Sequence, residues 1–174
     1  MISKATSFDI PFLHHLINRA YRGESSRSGW TTEADLLDGQ RIDPQMLQEM
    51  IKRTDSTLWT TWHENKLCGC MNLIHQNSAL EENIKCLYLG LLTVDPLRQN
   101  LGLGKKMLHW AENQGRLMGV KHIEMTVIDR RRELISWYVR KGYIETSTFI
   151  PFPKGDQFGI HKTELKLQVL FKTI

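Results

Sequence analysis

The chain has 174 residues, of which 41% are hydrophobic and 24% charged, and its formal net charge is +4. This balance is ordinary for a folded globular domain, and it excludes a disordered chain or a membrane-spanning protein, because a span needs ~20 apolar residues in a row. The length predicts one domain over residues 1–174. The first residues lack the basic and then apolar pattern of a secretory signal, so we expect a cytoplasmic location.

The cysteines and the net charge limit the kinds of ligand that the chain is expected to bind. Cys68, Cys70 and Cys86 cannot all pair and lie in strand-like sequence, so we expect reduced, mostly buried thiols. No further ligands at suitable spacing accompany Cys68 and Cys70, so no metal is expected. The basic residues occur in short scattered groups, which indicates either a solvated surface or a phosphate-rich ligand.

The first half of the chain mixes helical and strand-like patterns. Apolar residues at helical spacing predict a helix over 7–22, with Pro11 in its first turn. Thr32 followed by Asp35 resembles a capping box and predicts a short helix through Leu37. The other predicted elements are a strand at 1–6, a polar loop at 23–29 and a helix at 43–52.

The second half predicts a series of strands interrupted by two helices. The strands of a hairpin are predicted at 57–63 and 66–76, around the turn Glu64-Asn65. Glycines beyond residues 118 and 141 predict the ends of two helices. The remaining predictions are strands at 83–94, 121–128, 143–150 and 162–171, helices at 103–118 and 131–141, and a loop at 151–159. This order predicts a mixed α/β fold.

The most informative stretch runs from Leu92 to Met107 and reads as a strand, a glycine-bearing loop and a helix. Glycines at such a junction let backbone amides approach a ligand, and the helix N-terminus carries a partial positive charge. The pattern therefore predicts an anion site. A Walker A loop and a Rossmann fingerprint are both excluded, because Lys106 and Met107 stand where those motifs need Ser or Thr and a third glycine.

The same stretch resembles motif A of the GNAT superfamily of acyl-CoA-dependent N-acyltransferases, [QR]-x-x-G-x-[GA] after a strand ending in V-D-P. Gln99, Gly102 and Gly104 fill the fixed positions after Val94-Asp95-Pro96. Residues 135–143 resemble motif B, with Tyr138, Gly142 and Tyr143 in register. The resemblance implies a mainly antiparallel sheet of about seven strands flanked by helices, in which a splayed pair of strands beside a β-bulge holds the acyl-CoA.

The resemblance also implies roles for individual residues. Tyr138 is expected to protonate the departing thiolate. The residues expected to bind acetyl-CoA are Leu92, Thr93, Val94, Gln99, Asn100, Leu101, Gly102, Leu103, Gly104, Lys105 and Arg131. Leu134 and Arg131 replace the alanine and asparagine common in motif B.

The sequence contains fewer features that indicate how the acceptor amine is bound. A lysine-like amine is neutral in only about one molecule in 2,500 at pH 7, so a base is useful. Glu33 is the candidate base, with Asp35 and Glu124 as alternatives. Arg22, Arg27 and Trp30 are expected to bind the acceptor, and the loop at 151–159, with Phe152, to close the opposite side.

The resemblance predicts an N-acetyltransferase that acts on a small-molecule or peptide amine by direct attack. Two alternatives stay open, namely acetylation of aminoacyl-tRNA and a non-catalytic acyl-CoA-binding regulator. No membrane partner is expected, nucleic acid is disfavoured, and a second copy of the chain is left open as a partner. The sequence does not name the amine or the preferred acyl length.

Overall fold

The structure is a computed structural model that describes residues 1–174, apart from the side chain of Asp156. Its strands are β1 Ile2–Lys4, β2 Leu37–Asp38, β3 Ser56–His63, β4 Lys66–Asn77, β5 Lys85–Val94, β6 His122–Ile128, β7 Ile144–Pro151, β8 Ile160–His161 and β9 Lys166–Thr173. Seven of them form one sheet in the order β1-β3-β4-β5-β6-β9-β7. The helices are α1 Ile10–Tyr21, α2 Pro44–Lys52, α3 Leu103–Leu117 and α4 Arg132–Val139.

The helices cover the sheet with two separate hydrophobic clusters. Helices α1 and α2 pack against β3 and β4 through a cluster that includes Leu13, Ile17 and Leu47. Helices α3 and α4 build the larger cluster, in which Met107 and Ile135 meet the sheet. None of the described helices combines the length and the hydropathy that a membrane-spanning segment requires.

The centre of the sheet is opened by a parallel pair. Strands β5 and β6 pair in parallel only at Leu87 with Ile123 and Tyr88 with Glu124. On its other side β5 is antiparallel to β4, and their register shifts where Leu91 has a positive φ of 49°. A bulge of this kind bends a strand and increases its twist. The expected splayed pair beside a β-bulge is therefore present, within the expected mainly antiparallel sheet.

Most predicted elements are confirmed to within a few residues, but residues 32–37 are not a helix. Thr32 Oγ1 instead accepts from Ala34 N at 3.1 Å, which is a local turn. Leu37–Asp38 then pairs with Ile160–His161 as a small second sheet that the sequence did not predict. The last strand starts at Lys166 rather than Lys162, because residues 162–165 lead out of that small sheet.

The predicted hairpin turn and thiols are confirmed. Glu64 and Asn65 have φ angles of 51° and 56°, the left-handed pair that a tight hairpin turn needs. All three cysteines are buried and unpaired. Burial raises the pKa of the Cys70 thiol to about 12, so this thiol stays protonated at neutral pH.

Candidate active site

Residues 95–104, between strand β5 and the first turn of helix α3, are here called the glycine loop. They line one end of a cavity of about 390 Å³, here called the loop cavity. Asp95 begins the loop by accepting from Leu97 N at 3.0 Å. Gly102 then precedes helix α3 with a left-handed φ of 71°, a conformation that favours glycine. The residues lining the loop cavity are Trp30, Thr31, Leu92, Val94, Gln99, Asn100, Gly102, Gly104, Lys105, Leu134, Trp137, Tyr138 and Lys141.

The charge of the loop cavity suits an anion. Its charged lining residues are Lys105, in the first turn of α3, and Lys141, just beyond α4. Because the N-terminus of α3 adds a partial positive charge, this end of the cavity attracts phosphate groups. Trp30 and Trp137 supply an aromatic surface beside it, with ring centroids 6.1 Å apart.

Gln99 ties the glycine loop to the segment after α1. Its Oε1 accepts from Trp30 N at 2.9 Å, and its Nε2 donates to Thr31 Oγ1 at 2.6 Å. Gly29 lies so close that a Cβ placed there would be 2.7 Å from Gln99 Oε1. The Gln99 side chain therefore holds the wall of the loop cavity.

A second cavity, of about 260 Å³ and here called the cleft cavity, lies between the diverging strands β5 and β6. Its strand walls are Tyr88 to Leu92 on one side and Met125 to Ile128 on the other. Tyr88 Oη and Thr126 Oγ1 form a hydrogen bond of 2.7 Å between these two strands. The other lining residues are Tyr21, Thr31, Glu33, Arg41, Arg131, Leu134, Tyr138, Phe152, Pro153, Phe158 and Leu167.

The two cavities share Thr31, Leu92, Leu134 and Tyr138 as lining residues. Tyr138 is 6% exposed, and its hydroxyl takes part in none of the hydrogen bonds found among the described side chains. Burial raises the pKa of Tyr138 above its ordinary value of 10.0. A protonated, uncommitted hydroxyl thus lies where the two cavities meet.

Glu33 lines the cleft cavity as part of a buried cluster of charges. Its carboxylate forms an ion pair with Arg22, and its Oε1 lies 4.0 Å from Arg131 Nη1. Arg131 in turn donates to Glu133 Oε1 at 2.6 Å and to the Thr31 carbonyl at 3.1 Å. The structure therefore places Arg131 on the cleft cavity rather than the loop cavity, where most of the predicted coenzyme A residues lie.

Most of the predicted coenzyme A residues lie together on the loop cavity, and four do not. Arg131 lines the cleft cavity, and Thr93 is buried, with its Oγ1 donating to the Leu91 carbonyl at 2.9 Å. Leu101 is 63% exposed, and Leu103 packs against the larger hydrophobic cluster. The roles of all of these residues stay predictions.

The predicted acceptor residues are dispersed. Trp30 lines the loop cavity, whereas Arg22 is buried against Glu33 beside the cleft. Arg27 lies at the surface and pairs with Asp35 at 2.7 Å, outside both cavities. The alternative base Glu124 is bound by His122 Nε2 at 2.8 Å, by Ser78 and by Ala79 N, also away from the cavities.

Several lining residues had no signal strong enough to be singled out. Trp137 and Lys141 flank Tyr138 and Gly142 within the second motif, so their positions in that motif were the available clue. Arg41, Tyr88, Thr126 and Phe158 come from four separate segments that only the fold brings together. A single sequence holds no pattern that joins them.

A family model described as the acetyltransferase (GNAT) family matches residues 11–143. The chain belongs to this acetyltransferase family. The match covers most of the chain and includes both cavity-forming motifs. No curated protein sequence matches the chain significantly.

Two solved structures share the fold of this chain over its whole length, although their sequence identity to it is low. The ribosomal-protein-alanine N-acetyltransferase from Brucella melitensis has a TM-score of 0.68 at 17% identity, covering 100% of this chain and 99% of that one. The ribosomal-protein-S18-alanine N-acetyltransferase from Escherichia coli has a TM-score of 0.67 at 18% identity, covering 100% and 93%. These values show the shared fold.

A third structure, from Bacillus anthracis str. Ames, was determined in complex with acetyl coenzyme A. It has a TM-score of 0.56 at 16% identity and covers 73% of this chain and 67% of its own.

Proposed function

We propose that the chain is a single cytoplasmic N-acetyltransferase domain that transfers an acetyl group from acetyl-CoA to a primary amine of a small molecule or peptide. The observation that carries this proposal is the meeting of the two cavities at Tyr138. One cavity presents a helix N-terminus and two lysines, and the other lies between splayed strands. Because the chain belongs to an acetyltransferase family, we expect the group transferred at this site to be an acyl group.

In this proposal acetyl-CoA is the substrate of the loop cavity. Its pyrophosphate would lie against the amides of residues 99–104 and the Lys105 ammonium. Its pantetheine arm would lie along Leu92 and Val94, beside the bulge in β5. Trp137 and Lys141 would border the rest of the molecule, and the thioester would reach the boundary between the cavities.

The reaction needs a neutral amine in the cleft cavity. Its nitrogen lone pair attacks the thioester carbonyl carbon, so a C–N bond forms and the carbonyl oxygen carries the developing negative charge. The tetrahedral intermediate then collapses, and the C–S bond breaks to release the coenzyme A thiolate. Tyr138 donates its proton to that sulfur and regains one from the amine nitrogen through water. The products are an N-acetyl amide and free coenzyme A.

Glu33 is the carboxylate among the described residues that line the cleft cavity. Its proposed part is to accept through water the proton that the ammonium form of the acceptor loses before attack, which supplies the neutral amine. Its ion pair with Arg22 gives it a structural part as well, so the two contributions need separate measurements.

The test is an amine panel with acetyl-CoA as donor and free-thiol detection as readout. The panel holds amino acids, amino-acid amides, polyamines, aromatic amines and short peptides whose N-terminal residue is alanine, the residue named for two of the similar structures. The proposal predicts thiol release that depends on at least one amine and an equal amount of acetylated amine by mass spectrometry. Thiol release that no class of amine accelerates would contradict it.

A further inference from the structure

The cleft cavity has more positive than negative charge. Its charged lining residues are Glu33, Arg41 and Arg131. Arg22 pairs with Glu33, and Arg131 pairs with Glu133 outside the cavity lining, so the carboxylate of Glu33 faces two guanidinium groups within the cavity. A polyamine would meet two like charges there, and an anionic group would be attracted.

Arg131 carries a buried nitrogen without a partner. The residue is 4% exposed, and its Nε and Nη1 are engaged by Glu133 and by the Thr31 carbonyl. Its Nη2 has no hydrogen-bond partner in the described part of the chain. A buried nitrogen on a charged group that lacks an acceptor costs free energy, which an added acceptor would recover. Arg131 also lines the cleft cavity, so an anionic ligand there would lie beside its guanidinium.

Arg41 adds a second cation on the same cavity. Its guanidinium lies over the ring of Tyr21, 5.6 Å from the centroid. None of the ion pairs among the described side chains includes Arg41. A guanidinium held on an aromatic face keeps its N–H groups free to bind a carboxylate.

The rest of the cavity limits the size and polarity of the ligand. Phe152, Phe158 and Tyr21 contribute aromatic surface, and Tyr88 and Thr126 contribute hydroxyl groups. The cavity volume of about 260 Å³ leaves room for a small ligand of the size of a single amino acid.

We infer that the acceptor is a small amine that carries a carboxylate, of the amino-acid class, and that the carboxylate binds to Arg131 with Arg41 beside it. The amine then faces the Tyr138 end of the cavity. This inference rests on the proposed function and goes beyond it by naming the class of acceptor. It also gives Arg131 a role on the acceptor side, in place of the coenzyme A contact that the motif predicted.

The experiment compares acceptors that differ only in the carboxylate. Phenylalanine, phenylalaninamide and phenethylamine share one side chain, and a matching series is prepared for each amino acid that the enzyme accepts. The amide is the weaker base and has more neutral amine at neutral pH, so each kcat/KM is divided by the neutral fraction of its amine. On that scale we expect kcat/KM for the amino acid to exceed that for its amide by about 10- to 100-fold, the range for hydrogen bonds to a charged group.

The variants assign the preference to Arg131. Arg131→Gln is expected to reduce the carboxylate preference to about one, mainly through a higher KM for the amino acid, and to leave stabilisation by acetyl-CoA unchanged. Arg131→Lys keeps the charge without the planar fork and is expected to give an intermediate preference. Arg132→Gln is the matched control, because Arg132 is the adjacent arginine but binds Glu145 at the surface. Arg41→Gln gives a second measurement if Arg131→Gln does not fold.

The outcomes separate this inference from the proposed function. If acetyl-CoA binds and amines are acetylated, but amides or peptide N-termini exceed amino acids, the acceptor inference is wrong and the proposed function stands. If Arg131→Gln weakens acetyl-CoA binding and lowers the rate with all acceptors alike, Arg131 serves the donor and the inference is also wrong. If acetyl-CoA does not bind at all, both fail together.

Discussion

The loop cavity and the cleft cavity are built in different ways. The loop cavity is made mostly from one continuous stretch, Leu92 to Lys105, joined by α4, and its chemistry comes largely from backbone amides at a helix N-terminus. The cleft cavity is made from side chains of separate segments, and its charges are set by buried pairs such as Arg22 with Glu33. A family can therefore keep the first cavity as a local motif while the second changes with the acceptor.

The largest expected effect concerns the boundary of the two cavities. Tyr138→Phe is expected to lower kcat by about 10²- to 10⁴-fold, because it removes a general acid. The free energy of unfolding should change by less than about 0.5 kcal/mol, since the hydroxyl bonds none of the described side chains. Steady-state kinetics and thermal unfolding check both parts.

The control and the pH profile sharpen that test. Tyr143→Phe is the same change outside both cavities, and it is expected to leave kcat within about twofold. Burial raises the pKa of Tyr138 above 10.0, so the acid stays protonated across neutral pH. Rates should therefore rise with pH as the amine loses its proton, with no decline below about pH 10. Equal kcat values for Tyr138→Phe and the wild type would remove Tyr138 from the mechanism.

The next effect belongs to the cleft cavity. Glu33→Gln is expected to lower the free energy of unfolding by about 3–5 kcal/mol, because it leaves the buried Arg22 without its counter-charge. Glu24→Gln is the surface control, since Glu24 pairs with the exposed Arg27. The double variant Arg22→Met with Glu33→Gln should regain part of the lost free energy of unfolding, because it also removes the unpaired charge. If Glu33→Gln lowers kcat but leaves the unfolding curve unchanged, Glu33 acts as a base rather than as a structural anion.

A negative charge on the glycine loop is expected to have a smaller effect, which is measured as the loss of stabilisation by acetyl-CoA. Gly104→Asp puts a carboxylate against the anion site, so it should abolish the ~2.7 kcal/mol of stabilisation that acetyl-CoA gives at 100 times its dissociation constant. The apo protein should fold normally. A Cβ at residue 104 would be 3.7 Å from Val94 and 3.8 Å from Trp137, and an acidic residue suits the first turn of a helix.

Gly104→Ala is the matched control for that change, because it adds the Cβ without the charge. It is expected to retain the stabilisation by acetyl-CoA. Full stabilisation of Gly104→Asp would place the ligand away from this loop.

The smallest effect is expected from Arg27→Ala. Arg27 pairs with exposed carboxylates outside both cavities, so kcat and KM should change by less than about twofold. The Arg27 guanidinium holds the pKa of Asp35 below its ordinary value of 3.8, and the pair therefore favours the folded state above that pH and loses this effect as the pH falls. NMR titration of Asp35 should show its pKa rising in the variant. A large increase in KM would instead support the predicted contact between Arg27 and the acceptor.

The sequence predicted the parts of the molecule that are local. Helix α3, the hairpin turn at Glu64-Asn65 and the glycine loop each depend on residues within a few positions of one another. The acceptor side depends on distant contacts, such as Arg131 with the Thr31 carbonyl and Leu37 with His161. The false helix at 32–37 has a different origin, because the contacts that replace the capping box are close in the chain. Thr32 and Asp35 match a capping box, but Thr32 bonds Ala34 and Asp35 pairs with Arg27.

The proposed reaction depends first on the binding of acetyl-CoA, as the donor, in the loop cavity. Isothermal titration of the wild-type protein with acetyl-CoA tests it directly, with Gly104→Asp titrated beside it. We expect one molecule bound per chain for the wild type and no measurable binding for the variant. Absence of binding to the wild type, or equal binding to both proteins, would contradict it.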